Sequence, residues 1–279
     1  MTLAATTKIN IADRFFVGGN GRFVLFAGPC VVENEKITLT TAETLKSICE
    51  RLGLNLVFKS SFDKANRSSV SSPRGVGLEQ GLKILQRVKT EFDLPIVTDV
   101  HEVWQCAEVV EVADVVQIPA FLSRQTDLLV AAAQTGRVVN VKKGQFMAPW
   151  DMKNVVEKIR STGNDKVLLC ERGTTFGYNN LVVDMTGLVE MRTLGVPVVF
   201  DATHSVQKPS GQGTCTGGNR EAVPYLLRAA VAVGVDAVFA EVHPTPDNAL
   251  SDAASQFPLS SLEEMLKPTI EIDRLVKNL

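Results

Sequence analysis

The sequence predicts an α/β fold of the closed (β/α)8 barrel kind, on three observations. Short apolar runs of strand length alternate with stretches of helical periodicity, eight such pairs follow one another, and no linker or break in composition divides them. Strict alternation implies a parallel sheet with right-handed crossovers. Eight repeats are the number that closes such a sheet on itself. An open doubly wound sheet is the alternative, but the GxGxxG fingerprint it would carry after the first strand is absent. A length of 279 residues suits a single barrel domain over 1–279, with residues 1–20 as an N-terminal extension.

The extension contains KINIADRFFVGGN, whose alternation and terminal Gly18-Gly19-Asn20 predict a short β-hairpin or a plug. Phe23–Ala27 is the first strand, broken by Gly28-Pro29 with Cys30 just beyond. A helix is expected over Thr40–Leu52, where Ala42, Leu45, Ile48 and Cys49 share one face and Gly53 closes it. Asn55–Phe58 is the second strand and empties into Lys59 and a loop with Lys64, Asn66, Arg67 and several serines. Helix Leu78–Phe92, strand Pro95–Asp99, helix Val103–Val112 and strand Val115–Ile118 follow. Helix Thr126–Gln134, strand Val138–Val141, helix Asp151–Arg160, strand Lys166–Cys170 and helix Val182–Leu194 continue the pattern. Strand Val196–Phe200 ends in Asp201-Ala-Thr-His204, and a Gly-rich loop over Lys208–Gly218 precedes helix Arg220–Val233. Strand Ala237–Ala240 leads to Glu241 and His243, and helix Leu262–Lys277 ends the pattern.

Hydrophobic residues make up 45% of the chain and charged ones 22%, enough to build a large core. A net charge of -2 argues against a general nucleic-acid surface, so any basic site must be local. Five widely spaced cysteines without a CxxC pair argue against a disulfide framework and for a reducing compartment. No signal-like or membrane-spanning apolar run occurs, so the expectation is a cytoplasmic protein with no membrane partner.

In a barrel the carboxyl ends of all strands meet on one face, which carries the chemistry. Cys30, Lys59, Asp99 with His101, Gln117 with Ala120, Lys142 with Lys143, Arg172, Asp201 with His204, and Glu241 with His243 would stand there, ionisable at seven of eight strand ends. Lys59, Lys64, Lys142 and Arg172 form a cationic set suited to a multiply anionic substrate. Cys30, His204, Glu241 and Asp252, with His101 and His243 in reserve, supply thiolate, imidazole and carboxylate donors for a divalent ion such as Zn, Fe, Mn or Co. Their spacing matches no local metal motif, and a lone cysteine after a strand is more often a small buried hydrophobe. Asp99, Glu171 and Asp201 are each a general base or a group that orients a neighbouring lysine, arginine or histidine. Cys49 belongs to the core, and Cys106, Cys170 and Cys215 are read as non-functional.

Phe58-Lys-Ser-Ser-Phe-Asp-Lys-Ala-Asn-Arg-Ser68, Ile96-Val-Thr-Asp-Val-His-Glu102, Gln117-Ile-Pro-Ala-Phe-Leu122, Asn140-Val-Lys-Lys-Gly-Gln-Phe146, Cys170-Glu-Arg-Gly173 with Phe176-Gly-Tyr178, and Asp201-Ala-Thr-His-Ser205 resemble the 3-deoxy-D-manno-octulosonate 8-phosphate synthase family. The resemblance covers the chain from about Phe23 to the end. It implies a (β/α)8 (TIM) barrel, usually a homotetramer, that is a transferase. Such enzymes condense phosphoenolpyruvate with arabinose 5-phosphate and release phosphate, on the route to lipopolysaccharide. The relative that uses erythrose 4-phosphate to make the seven-carbon sugar acid is the runner-up; it carries a Lys-Pro-Arg-Thr type stretch where this chain has Lys64-Ala-Asn-Arg-Ser68.

By motif, the resemblance implies that Lys59, Lys142 and Arg172, helped by Gln117 and the Ala120 backbone, hold phosphoenolpyruvate. Lys64 lies between the substrates, and Lys64, Lys142 and Asp252 stand among the catalytic groups. Asn66, Arg67 and Ser68 hold the sugar phosphate, with Arg67 and Ser68 reaching across a subunit interface, and Asp99 joins the substrate set. Members with cysteine after the first strand need a divalent ion and members with asparagine do not. Cys30 puts this chain in the metal-dependent class, with His204, Glu241 and Asp252 on the other ligand positions. Two further hypotheses stand beside this one: a non-catalytic barrel that senses a phosphorylated metabolite, and a Schiff-base aldolase. The second needs a lysine of depressed pKa in an apolar pocket.

Overall fold

The computed structural model of the chain describes residues 3–209, 211 and 216–278. Of the Gly-rich loop, Ser210 and residues 212–215, Cys215 among them, lie outside the described residues, and on either side of them β12 (Gln207–Lys208) pairs antiparallel with β13 (Gly217–Gly218).

Eight parallel strands make the barrel among the described residues: β3 (Val24–Gly28), β4 (Leu56–Lys59), β5 (Ile96–Asp99), β6 (Val115–Ile118), β7 (Val138–Lys142), β8 (Val167–Glu171), β11 (Val198–Asp201) and β14 (Ala237–His243). Each pairs with the next, β14 pairs with β3 over Ala237–Glu241, and β11 pairs with β14, so the sheet closes. The strands are buried throughout, as expected where helices cover the outside and side chains fill the inside. Alternation sorts them. Leu25, Phe58, Val116, Val141 and Leu169 face outward into a core shared with the helices, whereas Val24, Phe26, Val57, Val97, Val138, Leu168 and Phe239 fill the barrel interior.

The extension is the expected hairpin, β1 (Ile9–Ile11) antiparallel to β2 (Phe15–Val17). Ile9, Ile11 and Val17 are buried against the interior set, so the hairpin plugs the amino-terminal end of the barrel. It is fastened there by Arg192, which is fully buried and donates to Asp236 at 2.6 Å and to the Ala4 carbonyl at 2.8 Å.

The outer layer consists of α1 (Glu35–Leu52), α2 (Leu78–Phe92), α3 (Gln105–Val109), α4 (Thr126–Gln134), α5 (Met152–Arg160), α6 (Met185–Arg192), α7 (Val223–Val233) and α8 (Leu262–Lys277). Three of these differ from the periodicity reading. The first helix begins at Glu35 and not Thr40, because Asn34 caps it by accepting from the Ile37 N–H at 2.9 Å. The helix expected over 103–112 shrinks to Gln105–Val109, after which Val112 N–H bonds Val109 C=O at turn spacing. The segment read as helix from Val182 opens instead with a hairpin, β9 (Thr174–Thr175) against β10 (Leu181–Val182), and Asp184 caps the helix that follows. Among the described residues no helix is long and apolar enough to cross a membrane.

Candidate active site

A cavity of about 510 Å³ opens at the carboxyl end of the barrel. Lys59, Lys64, Asn66, Arg67, Ser68, Asp99, Gln117, Ala120, Lys142, Arg172, His204, Glu241 and Asp252 all line it. Cys30 lies buried behind Lys59 and Lys64. The groups picked from eight separate segments therefore share one wall.

The cations are held individually. Lys59, at the end of β4, is 2% exposed and gives its ammonium to the Cys30 carbonyl at 2.7 Å and to Glu241 Oε1 at 2.6 Å. Lys64 Nζ meets Asp252 Oδ2 at 2.6 Å and Cys30 Sγ at 3.3 Å. Burial alone would lower both lysine pKa values, but Glu241 beside Lys59 and Asp252 beside Lys64 push them up. A Schiff-base lysine needs the opposite shift. Lys142 Nζ contacts Asp201 Oδ2 at 2.6 Å and sits 3.7 Å above the Phe239 ring, which seals the barrel beneath it. Arg172 spends one arm on Gln207 Oε1 at 2.9 Å, while its buried Nη1 has no partner. A guanidinium nitrogen in a cavity wall that no protein group engages is a donor suited to a carboxylate or phosphate oxygen.

The carboxylates divide by role. Both Asp201 oxygens are taken, Oδ2 by Lys142 and by His204 Nδ1 at 2.7 Å, Oδ1 by the His204 N–H at 2.9 Å and by the Thr203 hydroxyl. Burial would raise its pKa, but His204 and Lys142 hold it well below the usual range. Asp201 is therefore an orienting group. Because a carboxylate only accepts, it fixes the proton on Nδ1 and leaves Nε2 free. Asp99 accepts from the Ser61 hydroxyl and from Gln117 Nε2 at 2.5 Å, and Gln117 in turn accepts from Asn140 at 2.9 Å. Against its burial, Lys59, His101 and Lys142 bring Asp99 down to about 2. Glu171 points out of the barrel and lines no part of the cavity.

Cys30 Sγ and carboxylate oxygens of Glu241 and Asp252 lie within 4.8 Å of one another, all three residues buried. His204 Nε2 is 3.5 Å from Glu241 Oε1 and 3.5 Å from Asp252 Oδ2. Glu241 Oε2 is buried without a hydrogen-bond partner. One sulfur, one imidazole and two carboxylates, with an orphaned oxygen among them and Asp201 behind the imidazole, form a donor set that fits a borderline divalent ion. Burial, then the Glu241 charge, pushes the Cys30 thiol up, so an ion would have to displace its proton. His101 lines the cavity edge-on to Phe62, away from this donor set, and His243, the last residue of β14, accepts at Nδ1 from the Thr245 N–H at 3.0 Å.

Arg67 is drawn onto its own chain, donating to Ser251 Oγ at 3.0 Å and to the Leu250 carbonyl at 2.7 Å. Asn66 and Ser68 are exposed at the cavity rim. Sequence reasoning did not single out Ser61, Gln207, Asn140 or Ser251. Only Ser61 carried a signal, as one of the serines crowded behind Lys59.

Comparison with known proteins agrees with this geometry. The model of the DAHP synthetase I family matches residues 6–278. The chain belongs to that family. Among curated relatives it is 58% identical to a 2-dehydro-3-deoxyphosphooctonate aldolase of Fusobacterium nucleatum over 277 residues, 99% of each chain. It is 59% identical to the protein of the same name from Syntrophotalea carbinolica, over 96% of this chain and 97% of that one. The Geobacter sulfurreducens protein, again with that name, is 57% identical over 94% of this chain and 96% of the relative. The name denotes the octulosonate synthase, so the resemblance carried by the strand-end motifs is borne out.

Proposed function

We propose that this chain condenses phosphoenolpyruvate with arabinose 5-phosphate to give 3-deoxy-D-manno-octulosonate 8-phosphate and inorganic phosphate. The observation that carries the reading is the unpaired Arg172 Nη1 in a cavity whose other walls bear Lys59, Lys64 and Lys142. Lys59, Lys64 and Lys142 are each paired with a carboxylate, so of this set Arg172 keeps an unpaired donor for an anionic substrate, with the three lysines beside it. The family name alone would also suit the heptulosonate reaction; the names of relatives at 57–59% identity favour the eight-carbon product.

In this reading Arg172 and Lys142 hold the phosphate of phosphoenolpyruvate, and Lys59, Gln117 and the Ala120 backbone hold its carboxylate end. Asn66, Arg67 and Ser68 at the rim take the sugar phosphate, and Lys64 lies between the two. Fixing both phosphates brings the enol carbon and the aldehyde carbon together, so the encounter becomes effectively unimolecular. The new C–C bond forms between them as the aldehyde oxygen gains a proton. Water then adds to the phosphate-bearing carbon, and the resulting hemiketal expels phosphate by C–O cleavage. Lys142 and Arg172 stabilise the anionic groups throughout. Cys30, His204, Glu241 and Asp252 would hold a divalent ion, Zn, Fe, Mn or Co, which would supply Lewis-acid polarisation of the aldehyde or orientation of water. Asp252 serves both that ion and Lys64.

The whole chain acts as one catalytic domain, cytoplasmic in keeping with the four free thiols among the described residues, and assembles as a homotetramer. Exposed Phe121, Phe146 and Phe176 on the loops about the cavity mouth are apolar surface that a neighbouring subunit would cover.

The test offers arabinose 5-phosphate and erythrose 4-phosphate side by side with phosphoenolpyruvate, before and after exhaustive chelation, and follows phosphate release. Preference for the five-carbon sugar and loss of turnover on chelation, restored by divalent ion, are expected. Preference for the four-carbon sugar would overturn the substrate assignment, absence of release would leave a binding protein, and full activity without metal would remove the Cys30 assignment.

A further inference from the structure

Alternation along β7 and β8 turns Lys142 and Arg172 into the cavity and leaves Lys143 and Glu171 on the outer side of the same two strand ends. Lys143 is 0% exposed, yet its ammonium is fully occupied. It donates to Thr174 Oγ1 at 3.0 Å and to the Met147 carbonyl at 3.3 Å, and lies 3.5 Å from Glu171 Oε1. That same Glu171 oxygen accepts the backbone N–H of Arg172 at 3.0 Å and of Gly173 at 2.6 Å. Gly173 has φ +93°, so the carboxylate straps down the turn by which the chain leaves β8. The backbone repeats the tie: Lys143 N–H bonds the Cys170 carbonyl at 2.7 Å and Thr175 N–H the Gln145 carbonyl at 2.8 Å.

We propose that the Lys143–Glu171 pair is a positioning device for the phosphoenolpyruvate site, bracing from outside the barrel the two backbone points from which Lys142 and Arg172 project. The proposal rests on the reading that these two cations bind phosphoenolpyruvate. Neither member of the pair lines the cavity. A buried ion pair contributes little net stability over an apolar replacement but fixes geometry, and here the fixed geometry is the separation of two phosphate-binding cations. The device acts on one substrate only, because the residues assigned to the sugar phosphate lie on the β4 loop, untouched by it.

The experiment uses the full-length, metal-loaded enzyme and the variants Glu171→Gln, Lys143→Met and Thr174→Val. Phosphoenolpyruvate binding is measured calorimetrically, and both KM values and kcat by phosphate release. Glu171→Gln and Lys143→Met are each expected to weaken phosphoenolpyruvate binding about tenfold, as a displacement of a fraction of an ångström in a phosphate clamp would. The KM for arabinose 5-phosphate is expected to stay within about twofold, and Thr174→Val to have a smaller effect in the same direction. Should Lys143→Met fail to fold, the near-isosteric Glu171→Gln decides. An unchanged affinity for phosphoenolpyruvate, or an equal rise in both KM values, overturns the proposal. Failure of the wild-type enzyme to bind phosphoenolpyruvate would instead overturn the underlying reading, and this inference with it.

Discussion

Replacing Asp201 by Asn removes one charge from a site where every acceptor position is used. The carboxylate is wholly buried, and four donors converge on it, two of them ending in Lys142 and His204. Asparagine retains one oxygen and presents an NH₂ where the other stood, so at least one of those donors faces another donor. Removing one member of a buried charged pair costs about 3–5 kcal/mol, because the ammonium left behind loses its carboxylate partner. For a chain of this size each kcal/mol lowers the thermal midpoint by roughly 2 °C, so a drop of about 6–10 °C is expected at pH 7. The sign with pH follows from the shift. The folded-state pKa of Asp201 lies well below its unfolded value, so its stabilisation is complete above about pH 4 and is lost as pH falls toward the folded value. The gap between wild type and variant, read as melting midpoints from pH 8 downward, should be constant near neutrality and close in acid. Turnover should fall steeply as well, since His204 loses the acceptor that fixes its tautomer. A variant that melts within a degree of wild type at pH 7, with its turnover intact, would refute the assignment of Asp201 as the orienting anchor.

Two other expectations can be read from the same face. Arg172→Lys keeps the charge but loses the planar fork, at about 1.5–3 kcal/mol per charged hydrogen bond, so the KM for phosphoenolpyruvate should rise roughly 10- to 100-fold in steady-state assays. Gly28→Ala would drive a methyl group into the Lys59 carbonyl, prising β3 from β4 where Lys59 is aimed; urea titration should show a loss of about 2–3 kcal/mol.

What could be read from the sequence, and what could not, divides along physical lines. Buried parallel strands are runs of apolar residues, and their ends announce themselves by an abrupt change to charge, as Phe58-Lys59 and Val141-Lys142 do. Placing those ends on one face required only the rule of the barrel, and so the cationic set and most of the cavity wall were legible. Helix starts were less so, because Asn34 caps a helix whose fully buried apolar residues begin only two turns later at Ala42. The Thr174–Val182 hairpin was read as helix in part, since a two-residue strand has no period. The dual nature of Asp201 and Glu171 was beyond the sequence: whether a carboxylate acts as base or as brace depends on who reaches it, and Lys142, His204 and Lys143 are brought there by the fold. Cys30 shows the same limit, because its partners lie in the turn after β11, on β14 and on a later loop, well over a hundred residues away, and only the closed barrel makes them neighbours.

The hairpin that plugs the barrel precedes every barrel strand in the chain and is among the last parts to find its place. Its surroundings comprise side chains from every barrel strand, and the groups that hold Ala4 and Thr6, Arg192 and Asp236, arrive some two hundred residues later. Until β14 closes against β3, Ile9, Ile11 and Val17 have no interior to enter and remain in solvent. Contacts of such sequence separation slow folding, and a newly made chain must carry an exposed apolar ribbon ahead of the barrel strands while they are being synthesised. Sealing the barrel with a segment that precedes its strands therefore has its cost during biogenesis, when this apolar surface is exposed to aggregation and to chaperones.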